Sequence, residues 1–209
     1  MAIGGQFPAT VLNSRGPNPF GAKNMENREL FSEKVRQLRE FIHKKAGNSL
    51  KMYADEVAVI ALLERDERFI VLASLAYSFS KFHEKTYIEA SKELDELIEN
   101  VQFELAKASE ALENDDEKEF SRIVFGCEAM VRDLSASLGR YIINLTFKSR
   151  LKAAAKMYSH GASLGVVCSL AKVDKDELSN YLGHTTVSDK YATMSVRERM
   201  GKVFAMLGG

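Results

Sequence analysis

The chain has 209 residues, of which 45% are hydrophobic and 28% charged, and no formal net charge at neutral pH. That is ordinary globular composition, long enough for one or two domains and a sizeable core. The most apolar run, Phe69 to Phe79, falls short of the roughly 20 residues of a bilayer span, which excludes a transmembrane helix there.

The composition points to an all-α protein: there are three prolines, no tryptophan and almost no alternating strand pattern. The start, MAIGGQFPATVL, lacks the basic region and apolar core of a signal peptide. Cys127 and Cys168 have no metal-ligand spacing and lie in apolar helical patterns. They read as reduced, buried thiols of a cytoplasmic protein.

Residues 1–24 hold Pro8, Pro17 and Pro19 and four glycines, which predicts a flexible, irregular arm. From Asn27 the pattern turns helical. Phe31, Val35, Leu38 and Ile42 recur at steps of four, three and four. Gly47 is expected to end that helix, with Asn48 or Ser49 capping the next. In the second helix Val57, Ile60 and Leu63, or a neighbouring set, are expected to be buried. The charged run 64–68 then reads as solvated surface or a break. Residues 69–82 are apolar nearly all round, as in a central helix. Thr86-Tyr87-Ile88-Glu89 has the form of a capping box that opens a long helix.

That helix carries Leu94, Ile98, Val101, Leu105, Ala108 and Leu112, alternating steps of four and three. A second long helix carries Phe120, Val124, Cys127, Val131, Leu134, Leu138, Tyr141 and Leu145. The two stripes mirror one another about residue 116, so a body over 25–147 should contain an antiparallel αα-hairpin about 40 Å long, turning at 114–116. Gly126 and Gly139 lie within the second helix. There they signal either close approach of another helix, such as a dimer mate, or tolerated variation.

The C-terminal portion, 148–209, is read as a separate module. It holds ten Lys+Arg against five Asp+Glu, a net +5, and leaves −5 on residues 1–147. A basic segment beside an acidic body fits a nucleic-acid module. From Ser149 to Leu182 three short helices follow one another. Lys152 to Tyr158 lead and His160-Gly161 stop the first. Ser163 caps LGVVCSLA, Lys172-Val173-Asp174 turn, and Asp174 caps KDELSNYL. Beyond it, Thr185 to Val187 is the one short strand candidate. Ser195-Val196-Arg197-Glu198 is a second capping box, opening a last helix with Val196, Met200, Val203, Phe204 and Leu207 on one face.

The stretch from Arg150 to Leu182 resembles the helix-turn-helix of prokaryotic transcription regulators, with Lys172 where that pattern has its turn glycine. The resemblance implies that the third helix enters a groove of double-stranded DNA. Carried over by position, Lys175, Ser179 and Asn180 would face base edges or phosphate. Lys148, Arg150, Lys152, Lys156 and Lys172 would supply positive charge beside the groove. Asp174, Asp176 and Glu177 suit a helix N-terminus but repel phosphate. The run Leu182-Gly183-His184 followed by Tyr191 is also similar to the end of tyrosine recombinases. The upstream His-x-x-Arg is absent, and with it the arginines such chemistry needs.

No spacing for a metal or a phosphate loop occurs, so no cofactor and no enzyme activity are expected. The expected function is DNA binding by a homodimer joined through the helical body, in transcriptional regulation. The alternative is a helical interaction or scaffold protein without nucleic acid.

Overall fold

The computed structural model describes residues 21–137 and 144–184, and among these it is entirely helical. The helices are α1 (Gly21–His43), α2 (Gly47–Glu64), α3 (Glu67–His83), α4 (Thr86–Glu89), α5 (Lys92–Glu113), α6 (Glu117–Ser137), α7 (Leu145–Ser159), α8 (Leu164–Ala171) and α9 (Lys175–His184). The protein is an all-α helical bundle. None of the helices described is long and apolar enough to cross a membrane.

The bundle is organised around α3. Twelve of its 17 residues are buried, as its all-round apolar sequence requires. It packs on α1, α2, α6, α7 and α8. On one side Phe31 of α1 stacks on Phe69 of α3 with ring centroids 3.9 Å apart, and Phe120 of α6 tilts against Phe31 at 5.0 Å. On the other, the Ser149 hydroxyl of α7 donates to the Thr146 carbonyl. The buried Ser74 hydroxyl of α3 therefore donates to Ser149 and satisfies both groups.

The hairpin of α5 on α6 forms as its mirrored stripes predict. Leu94, Val101, Leu105, Ala108, Leu112, Phe120, Val124, Cys127 and Val131 are all buried, while Ile98 and Leu134 are partly so. The chain reverses at Asp115, whose φ is 58°. Asp116 then accepts a hydrogen bond from the Glu119 N–H at 2.9 Å, capping α6. Burial and the nearby Glu104 carboxylate push the Cys127 thiol up to about 12, so it is packed as an inert apolar group.

Several local expectations are corrected. Helix α1 already runs from Gly21, inside the stretch read as an arm; residues 1–20 lie outside those described. The bend after α1 falls at Lys45, with φ 49°, and Gly47 instead begins α2, which has no side-chain cap. Thr86-Tyr87-Ile88-Glu89 makes only the single turn α4, and the working cap of α5 is Ser91, which accepts from the Leu94 N–H at 3.2 Å. Helix α2 buries the neighbouring set Leu50, Tyr53, Ala54, Val57, Ala58 and Ala61, leaving Leu63 69% exposed. The charged run after it is a break. Arg65 adopts φ 53° and Asp66 caps α3. The second hairpin stripe does not run on to Leu145 as one helix, because Asn144 has φ 63° and α7 starts after it. Leu138, Gly139 and Tyr141 fall outside the described residues.

Gly126 faces open space, with nothing within 4 Å of where a Cβ would stand, so none of the described helices approaches it. Gly126→Ala should therefore stabilise the protein by about 0.5–1 kcal/mol through helix propensity alone. A thermal melt reads this; a loss of stability would mean that a partner covers the position.

Candidate nucleic-acid interface

Helices α7, α8 and α9 are held by their own sequence signals. His160 and Gly161, the latter with φ 92°, end α7. Ser163 is extended, and its hydroxyl accepts from the Val166 N–H at 3.4 Å to cap α8. Lys172 takes the left-handed conformation, φ 54°, at the place where the helix-turn-helix pattern has glycine. The Lys172 and Val173 N–H groups both donate back to the Cys168 carbonyl. Asp174 then accepts from the Asp176 N–H at 2.7 Å and the Glu177 N–H at 3.4 Å, which caps α9. Val167, Cys168, Ala171, Val173 and Leu178 are buried where the helices cross.

This unit is built into the bundle. Helix α7 packs on α2, α3 and α6 as well as on α8 and α9, and its buried residues belong to the same core as the hairpin. The lead helix also begins at Leu145, well before Lys152. Its apolar face continues through Leu151, Ala154 and Met157 because it must cover α3. The strand candidate at 185–187, the capping box at 195–198 and the final apolar stripe lie outside the described residues.

The eight residues read as DNA contacts divide into two groups. Lys148, Lys172, Lys175, Ser179 and Asn180 are exposed. Arg150 departs most from expectation. Its guanidinium forks onto Glu128, with Nε–Oε1 2.8 Å and Nη2–Oε2 2.6 Å. Its Nη1 donates to Glu67 Oε1 at 3.1 Å and to the Ala171 carbonyl at 3.1 Å. Only 13% of the Arg150 side chain and 11% of Glu128 are exposed. Arg150 is thus a strut joining α7 to α6, α3 and the end of α8, and it is turned away from any external phosphate.

Lys152 and Lys156 of α7 both face Asp55 of α2, at 3.7 and 3.8 Å. The Lys152 ammonium also lies 4.4 Å from the centre of the Tyr77 ring. Burial, outweighing the attraction of Asp55, lowers its affinity for a proton. Lys172 reaches Glu67 at 3.7 Å from an exposed position. Four of the six cations thus answer carboxylates of α2, α3 or α6, and Lys148 and Lys175 are exposed without such a partner among the described residues.

The partner carboxylates Glu67, Glu128 and Asp55 carried no signal in the sequence. They stand 22 to 105 residues from the cations they hold, and only packing brings them there. The outward strip of α9 presents the Lys175 ammonium, the Ser179 hydroxyl and the Asn180 amide, beside the Asp176 and Glu177 carboxylates. Such a strip offers donors and acceptors to a polar edge.

These features define a helical bundle bearing a tri-helical unit with an exposed third helix. No family model, curated protein or solved structure matches the chain.

Proposed function

We propose that the protein binds double-stranded DNA by placing α9 in the major groove, as a transcriptional regulator acting in the cytoplasm. One observation carries this reading. Leu178 is fully buried while Lys175, Ser179 and Asn180 on the same helix are exposed, and α9 packs mainly on α7 and α8 of its own unit. An exposed helix held on a capped, left-handed turn meets the steric demand of groove binding. Asn180 and Ser179 meet base edges, while Lys175, Lys148 and Lys172 meet phosphate. Two copies, joined through the bundle, place two α9 helices on successive grooves.

A second reading is favoured by a different observation: Arg150, Lys152, Lys156 and Lys172 already face carboxylates of the bundle, and α9 opens on Asp174, Asp176 and Glu177. A strip with that charge suits a protein partner, and the chain then acts as a helical adaptor without nucleic acid.

Gel shifts against random duplexes at low salt, then over rising salt, separate the two. DNA binding should weaken steeply as counterions are released. Lys175→Ala with Asn180→Ala should cost about 1–3 kcal/mol of discrimination on a selected site. Absence of any duplex shift at low salt would leave the adaptor.

A further inference from the structure

Helix α2 shows an apolar face that no described helix covers. Met52 is 75% exposed and Leu63 69%, and Val59 and Ile60 between them are only partly buried. These positions, with Glu56, follow the spacing 52, 56, 59, 60, 63, which keeps them on one side of a helix. A groove of about 510 Å³ runs beside this face, lined by Met52, Asp55, Glu56, Val59 and Ile60 of α2 and by Lys156 and His160 at the end of α7.

The sequence past α9 contains a stripe with the same spacing. Val196, Met200, Val203, Phe204 and Leu207 repeat the steps of four, three, one and three, behind the capping box at Ser195. Both stripes span eleven residue steps, about 16 Å along a helix axis, so one covers the other end to end.

The chain also leaves the described fold at the right place. Helix α9 packs on α7, whose Lys156 and His160 line the groove. Helix α9 ends at His184. The eleven residues 185–195 reach at most about 36–40 Å when extended. Helix α2, with 18 residues, is about 27 Å long, which is shorter than that reach.

We infer that residues 196–207 form an amphipathic helix that seats Val196, Met200, Val203, Phe204 and Leu207 on the Met52–Leu63 face of α2 in the same chain. This is helix-in-groove recognition within one molecule, with anchors at i, i+4, i+7, i+8 and i+11. It stands apart from what α9 binds. It gives the last stretch of the chain a place on the bundle, and it removes the largest exposed apolar face of α2 from water.

Segment-resolved hydrogen exchange on the full chain tests this. Amides of 198–207 should be protected at low protein concentration. Met52→Asp with Leu63→Asp, both at exposed positions, should cut that protection about 100-fold and leave the α3 amides unchanged. Phe204→Asp should do the same from the other side. Unprotected amides in the parent protein would overturn the proposal, as would protection that survives both sets of substitutions. Protection that appears only as concentration rises, with a doubled mass in sedimentation, would also overturn it, because the occupant is then a second copy.

Discussion

Arg150→Ala should lower the free energy of unfolding by about 3–4 kcal/mol, the cost of removing one partner from a buried charge cluster. The substitution leaves the Glu128 carboxylate, 11% exposed, without the fork that neutralises it, and Glu67, 27% exposed, without its nearest cation. It also strips a donor from the Ala171 carbonyl at the end of α8. Arg150→Lys should recover only part of the loss, since an ammonium has no planar fork to match Glu128. Urea unfolding measures the shift. The same variants also separate the strut from a DNA contact. If Arg150 holds the bundle together, Arg150→Ala leaves the salt slope of any duplex binding unchanged once the protein is folded. Native stability combined with a slope reduced by about one would make it a phosphate contact instead.

Phe69→Ala should cost about 4 kcal/mol, in the range for removing a fully buried phenylalanine. Phe69 has no solvent exposure. Its ring lies parallel to Phe31, at 7° between planes, and Phe31 in turn meets Phe120. The Arg68 guanidinium sits 4.7 Å from the Phe31 ring centre and 5.7 Å from that of Phe120, and is itself gripped by Asp66 at 2.6 Å. Removing Phe69 takes away the α3 end of this stack and loosens α1, and through it α6, from α3. Phe31→Ala with Phe69→Ala should therefore fall short of the sum of the single losses, because the two rings share one cavity. Additive losses in thermal or urea unfolding would mean that the rings pack independently.

Features set by short-ranged physics are legible in the sequence. Ser163 and Asp174 cap helices because their side-chain oxygens reach N–H groups two or three residues on. The bounds of α8 and the start of α9 follow from those caps. The hairpin was legible because a stripe with steps of four and three forces one face inward, and mirrored stripes match level by level. Where two local signals compete, the sequence alone does not decide between them. Thr86 and Ser91 both offer a cap, and the break at Ala90 decided for Ser91. Gly47 was free to end a helix, but Lys45 took the left-handed turn and Gly47 joined α2. Nothing in the composition of α2 says that Leu63 faces out while Ala61 faces in; the position of α3 decides that.

The candidate interface divides along the same line. Its scaffold, and the outward placing of Lys175, Ser179 and Asn180, were determined by residues within one or two turns of each other. What Arg150, Lys152 and Lys156 do was not. Their identity as cations was plain in the chain, but a cation acts on whatever stands within a few ångströms of it. Glu128, Glu67 and Asp55 come that close only when α2, α3 and α6 close around α7. Capping and periodicity are local and are written in the sequence; the pairing of charges is a property of packed helices, and only the tertiary structure decides it.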